Sequence, residues 1–360
     1  MITNPILKGF NPDPSIVRVG EDYYIATSTF EWFPGVQIHH SRDLKHWRLL
    51  TRPLNRVSQL DLRGVGASQG IWAPCLTWDK GVFYLVYTVV TAFYCNMYDT
   101  HKYIVTAPDI MGPWSESTEM PGFGFGNRTE KHEVYSLLTT RHNPEYPLQK
   151  AGHCELVETP NGEWYAVHLG GRPLDRRNPD DAPRFAGCRR YLLGRETAIQ
   201  RMLWTEDGWL RQANGTNLPD VEVDEPDVPS CPWPKEPERE TFDKESISQN
   251  WQMLRVPLDE TDLSLSARPG ALRLYGGNGL GSRFKQSLIA QRLTEHSAQV
   301  ETSVEFEPAY FKQMAGLILY YDNDNYLYLH LTRDEVLGKV ITLLKAENKQ
   351  YTSPFGYLPV

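Results

Sequence analysis

The chain has 360 residues, a net charge of −8 and an aromatic content of 12%, including 10 Trp and 19 Tyr. An acidic balance argues against nucleic acid and anionic membranes as partners, because both would repel it. No apolar run approaches the length of a membrane span, and no signal peptide precedes the first motif, so the expected location is the cytoplasm. The cysteines Cys75, Cys95, Cys154, Cys188 and Cys231 are odd in number and scattered. They fit a reducing compartment better than a disulfide framework.

Asp13 lies in the run Gly9-Phe10-Asn11-Pro12-Asp13-Pro14-Ser15, between two prolines and just before the apolar Ile16-Val17-Arg18-Val19. Each proline fixes its own φ and biases the residue before it towards extended geometry. Asp13 is therefore expected at the mouth of a strand, where a general base for an attacking water could sit. Taken alone, a turn aspartate bonded to its own backbone is the plainer reading. Phe30-Glu31-Trp32-Phe33-Pro34-Gly35 and Gly70-Ile71-Trp72-Ala73-Pro74 each set a bulky ring beside a proline turn. Such rings grip sugars, and they also fill cores.

The pattern Asp22-Tyr23-Tyr24-Ile25-Ala26, closing on Trp47, returns at Gly81-Val82-Phe83-Tyr84-Leu85, closing on Trp114. Its first half appears again at Asn161-Gly162-Glu163-Trp164-Tyr165. Turn, aromatic pair, alternating strand and closing Trp make an all-β unit of the kind that repeats as propeller blades. From Leu218 to Arg239 the chain carries Pro219, Pro226, Pro229, Pro232, Pro234 and Pro237 among acidic residues, which reads as a semi-rigid linker. Beyond it, Ala271–Tyr275, Val300–Phe306, Leu317–Tyr321 and Tyr326–Leu331 alternate as strands, with a hairpin turn at Asp322-Asn323-Asp324-Asn325. The organisation expected is a propeller domain over residues 1–217, a linker over 218–239 and a β-sandwich over 240–360.

Five words, namely Asn11-Pro12-Asp13-Pro14-Ser15, Gly70-Ile71-Trp72-Ala73-Pro74, Gln149-Lys150-Ala151-Gly152-His153, Asn161-Gly162-Glu163-Trp164-Tyr165 and Gly194-Arg195-Glu196-Thr197-Ala198, carry a resemblance. The chain resembles glycoside hydrolase family 43, of the β-xylosidase and α-L-arabinofuranosidase type. The resemblance implies a five-bladed propeller followed by a β-sandwich, and a xylo-oligosaccharide or arabinosyl substrate. It implies release of terminal β-1,4-linked xylose with inversion, with Asp13 as the base. It further implies that Phe30, Trp72, His153 and Arg195 shape the sugar site. A guanidinium fork at Arg195 would suit vicinal hydroxyls and keep a neighbouring carboxylate charged. A plain surface pair with Glu196, and a core histidine at His153, are the ordinary alternatives. No cofactor is expected and the 10 His show no paired metal spacing; a structural divalent cation near the propeller axis is compatible with the resemblance, as is a homo-oligomer.

The chain departs from the family in lacking an aspartate in a Phe-Asp-Pro-Ser context and the general-acid glutamate in a Thr-Glu-Gly-Pro context. Thr129-Glu130 is followed by Lys131-His132, and Glu130 is expected to be an exposed loop charge rather than the acid. The aromatic-pair signature occurs at Tyr24, Tyr84 and Tyr165, matching the first, second and fifth blades. The third and fourth are expected to be missing, and the sandwich to lack terminal strands. An inactive carbohydrate-binding relative and a gene-model fragment are therefore the alternatives to an active hydrolase. Gly276–Gly281 lacks the spacing of a phosphate loop, and Asp322-Asn323-Asp324 lacks the glycine and glutamate of a calcium loop.

Overall fold

The computed structural model of the chain describes residues 1–94, 97–120, 136–174 and 189–360. These residues form strands, turns and extended segments, with no helix among them. Three four-stranded antiparallel sheets dominate the first part. The first runs Ser15–Val19, Asp22–Thr27, Gln37–Ser41 and Arg48–Thr51; the second runs Gly70–Asp79, Val82–Tyr94, Met97–Ala107 and Thr118–Glu119. The third comprises Gln149–Glu158, Trp164–Gly171, Glu196–Trp204 and Leu210–Gln212. Each is a meander in chain order, which is the construction of a propeller blade. The sheets coincide with the three aromatic-pair signatures. Glu130 and its neighbours lie outside the described residues.

Period-two alternation explains how the blades stack. From the first sheet, Tyr24, Ala26 and Ile38 enter one core with Leu76, Phe83, Leu85 and Tyr87 of the second. The alternate residues Ile16, Tyr23 and Ile25 enter another core with Val157, Tyr165, Val167 and Ile199 of the third. The first sheet is thus buried on both faces. Polar clamps tie the innermost strands together: Leu76 N donates to Ser15 Oγ at 2.9 Å, and Ile16 N donates to Glu155 Oε2 at 2.6 Å. The N-terminal Ile2–Thr3 pairs with Glu222–Val223, just past the third sheet. The Pro-rich stretch beyond it is extended and docked rather than loose. Cys231 N donates to Asp43 Oδ2 at 2.7 Å, and Trp233 Nε1 donates to His46 O at 3.0 Å.

The chain divides into two compact units: Met1–Pro257 with Ile289–His296, and Leu258–Leu288 with Ser297–Val360. In the first unit, Gln252–Leu254 pairs with both Trp32–Phe33 and Ile289–Ala290, so segments past the Pro-rich stretch brace the turn that follows Phe30. The second unit contains a sheet of Ala315–Asp322, Asn325–Asp334, Gly338–Glu347, Gln350–Thr352 and Leu358–Pro359. Asn323 and Asp324 make its first hairpin, as expected. One face buries Tyr326, His330, Thr332 and Val340, while Leu319, Leu327 and Leu329 on the other are exposed. Val300–Phe306 alternates in sequence yet forms no strand, because no ladder partner lies beside it among the described residues.

Glu155 carries a testable pH signature. Burial raises its pKa above the ordinary 4.5, against the lowering effect of bonds from Ser15 and Ile16 and of the charge on His153. The folded chain therefore holds this proton at pH values where the unfolded chain has released it. The stability the protonated group contributes is full below about pH 4.5 and is lost as pH rises through the folded value. In the Glu155→Gln variant the amide still accepts from Ile16 N but cannot ionise. Thermal melts from pH 4 to 8 should show the variant gaining on the parent as pH rises. A parallel pair of curves would rule out this role.

Candidate active site

The site starts from Asp13, whose φ of +57° puts it in the left-handed region that Asp tolerates better than most residues. Only 5% of it is exposed. Oδ1 accepts from Arg195 Nη1 at 3.0 Å, and Oδ2 accepts from Ser28 Oγ at 2.8 Å. The strand start that carries Arg195 is tied to the same loop: Asn11 N donates to Arg195 O at 3.0 Å, and Thr197 Oγ1 donates to Asn11 O at 2.7 Å. Asp13 is therefore not a turn residue capping its own backbone. It is a buried carboxylate held from two other parts of the chain.

Arg195 and Glu196 do not pair with each other. They point to opposite sides of the strand start, Arg195 to Asp13 and the fully buried Glu196 to Arg172 at 2.8 Å. Alternation along a strand gives this result and removes the surface-pair alternative.

Phe30 also has a positive φ, +56°, and its N–H and C=O both bond Ile71, at 3.1 and 3.0 Å. Gly70 makes this approach feasible, since a Cβ there would sit 2.3 Å from Phe30 O. Trp72 then comes beside Phe30, ring centroids 5.9 Å apart, with Phe10 at 5.2 Å on the edge. Together with Ser68, Lys150, Tyr191, Gly194 and Arg195 these rings line a cavity of about 330 Å³. The Arg195 guanidinium lies 5.6 Å from the Phe30 ring centre, and Lys150 Nζ lies 4.8 Å from that of Tyr191. Bulky side chains in the left-handed region are rare. Here Asp13, Phe30, Ser68, Ala73 and Lys150 all adopt it, the clustering of backbone strain seen at binding sites.

The structure thus brings together Asp13, Phe30, Trp72 and Arg195. Neither Asp13 nor His153 lines the cavity itself; Asp13 reaches it through Arg195, and His153 is exposed on the innermost strand of the third sheet, next but one to Glu155. No three His, Cys, Asp or Glu side chains converge among the described residues, and Glu155 already accepts from Ile16 N. Sequence reasoning passed over Ser28, Lys150 and Tyr191. Lys150 sits inside one of the quoted words and Tyr191 three residues before Gly194, so proximity to a motif was the available signal.

Three propeller blades that set a clamped carboxylate beside a wall of aromatic rings define a glycosidase-type site. The chain belongs to the glycosyl hydrolases family 43, whose model matches residues 2–129 and 125–210. A second model, the beta xylosidase C-terminal concanavalin A-like domain, matches residues 239–360. The architecture is accordingly propeller-type followed by a β-sandwich, and by family the chain is an O-glycosyl hydrolase of the xylosidase type. It is 36% identical to a beta-xylosidase of Bacillus subtilis, over 99% of this chain and 84% of that one. It is 38% identical to xylosidase/arabinosidase 43B of Humicola insolens, over 91% of this chain and 76% of that one. The solved xylan beta-1,4-xylosidase of Bacillus halodurans C-125 superposes with a TM-score of 0.93 at 40% identity, covering 100% of this chain and 85% of that one.

The comparisons also bear on the expected deletion. The Bacillus subtilis alignment spans 450 positions, whereas this chain has 360 residues. The relative therefore carries residues without counterpart here. The family model matches in two pieces that meet at residues 125–129, between the second and third sheets. That is where the resemblance places the third and fourth blades.

Proposed function

We propose that the chain hydrolyses the terminal, non-reducing β-1,4-linked xylose of short xylo-oligosaccharides, with inversion. Asp13 is the base that takes a proton from water as the water attacks the anomeric carbon and the glycosidic C–O bond breaks, its electron pair leaving on the departing oxygen, which takes a proton from solvent. The single observation that carries this is the buried Asp13 carboxylate, gripped by Arg195 and Ser28 beside the Phe30–Trp72 wall. Phe30 and Trp72 offer apolar ring faces to the sugar, and Arg195 offers donors to its hydroxyls.

None of the described residues lining the cavity is a carboxylic acid. The sequence also lacks the family's general-acid word, and departure of the leaving group then depends on its own acidity. A series of aryl β-D-xylosides should show rates that climb steeply as the phenol becomes more acidic, and proton NMR should detect α-xylose first. Initial release of β-xylose would overturn inversion. A folded chain that binds xylobiose but turns over no aryl xyloside would overturn hydrolysis. The same series run with an aryl α-L-arabinofuranoside measures the competing specificity.

A further inference from the structure

We propose that Ser28 is the positioning residue of Asp13, locking the carboxylate and coupling it to the strand that presents Trp72. This rests on Asp13 acting as the base. Ser28 is fully buried, and its hydroxyl touches two groups. Asp13 Oδ2 lies 2.8 Å away, and the backbone N of Ala73 also lies at 2.8 Å. An amide N–H only donates, so Ser28 Oγ accepts there. Its one hydrogen is then committed to Asp13. The polarity of the chain Ala73 N–H to Ser28 O–H to Asp13 is fixed by its chemistry.

Two consequences follow for the base. With Arg195 Nη1 on Oδ1 at 3.0 Å and Ser28 on Oδ2, the carboxylate is held at both oxygens and cannot swing. Each oxygen still keeps a lone pair to receive a proton from water. The main chain is pinned by the same residue, since Ser28 N donates to Pro12 O at 3.0 Å, immediately before Asp13.

The other end of the chain reaches the aromatic wall. Ala73 has a φ of +41°, a conformation in which its N–H is turned to Ser28 rather than into the sheet. Trp72 precedes it, and the pairing of the second sheet is interrupted between Trp72 and Cys75. Ser28 therefore sets base and sugar-stacking ring in one mutual register.

The test compares the 360-residue parent chain with Asp13→Asn, Ser28→Ala and Ser28→Thr on an activated aryl β-D-xyloside, with thermal melts as a control on folding. Ser28→Ala is expected to lower kcat by about 10–100-fold, the value of one hydrogen bond to a charged group. KM should stay close to the parent's, because Ser28 does not line the cavity. Ser28→Thr retains the hydroxyl and should restore kcat even where its extra methyl lowers the melting temperature. Ser28→Cys, a weaker donor of similar size, should lower kcat with KM held if the alanine variant does not fold.

A purely structural serine would make kcat follow melting temperature across the variants, the threonine form included. That result, with Asp13→Asn inactive, overturns the role of Ser28 alone. An Asp13→Asn variant as active as the parent, or a parent without turnover, overturns the proposed function and this inference with it.

Discussion

Asp13→Ala is expected to lower kcat on an aryl β-D-xyloside by about 10²–10⁴, the range general-base catalysis supplies. An activated phenol leaves without protonation, so the assay isolates the contribution of the base. Water must still lose a proton as it attacks, and no other acidic side chain touches Arg195 among the described residues. KM should change far less, since the cavity is lined by Phe10, Phe30, Trp72 and Arg195 rather than by Asp13. Alanine at a φ of +57° is strained. Asp13→Asn is the cleaner partner, because asparagine accepts the left-handed region and its carbonyl still receives one bond. Equal loss in both variants, with unchanged melting of the asparagine form, assigns the effect to the missing base. Retention of more than a tenth of the activity in either would remove Asp13 from the reaction.

The largest effect on stability is expected at Glu196. This residue is fully buried, and Arg172 lies against it with 22% of its side chain exposed. Glu196 accepts from Gly9 N at 2.7 Å, and from Arg172 N, Nε and Nη2 at 3.2, 3.0 and 2.8 Å. Glu196→Ala deletes the acceptor for all of them and leaves a partly buried guanidinium against a hole. Breaking one side of a buried ion pair costs about 3–5 kcal/mol, a large share of the roughly 5–15 kcal/mol that holds a typical domain. Arg172 also donates to Glu295 at 2.7 Å, so the lower end of the range is the better expectation. Urea unfolding measures it, and a loss below about 1 kcal/mol would mean that the pair is solvent-screened. Activity should fall in parallel. Gly9 opens the loop that ends at Asp13, and Glu196 follows Arg195, so the same residue holds both ends of the Asp13–Arg195 contact.

These expectations rest on different depths of information. The three sheets were legible because turn, aromatic pair and period-two alternation are local signals, and Asp22–Thr27, Val82–Tyr94 and Trp164–Gly171 each carry them. The aromatic words around Phe30 and Trp72 were legible for the same reason. Val300–Phe306 shows the limit of that approach: alternation records the wish of a segment to be half-buried, while a strand also needs a neighbour to accept its hydrogen bonds. His153 shows another, because a motif word places a residue on a strand without saying which way its side chain turns. Ser28 was invisible. A small hydroxyl between Thr27 and Thr29 has no pattern of its own, and its role exists only through Asp13 and Ala73.

What the sequence by itself determined is what nearest-neighbour sterics and hydrophobic periodicity control: proline-held turns, blade-sized meanders, the family and the absence of its general-acid motif. What only the tertiary structure decided is which groups meet. Asp13 and Arg195 are 182 residues apart, and Ser28 reaches a backbone amide 45 residues away. Such contacts are set by the packing of whole sheets on the two cores rather than by any local preference. A carboxylate's environment is a sum over groups brought from afar, so whether Asp13 sits in a turn or in a clamp could be read only once the chain was folded.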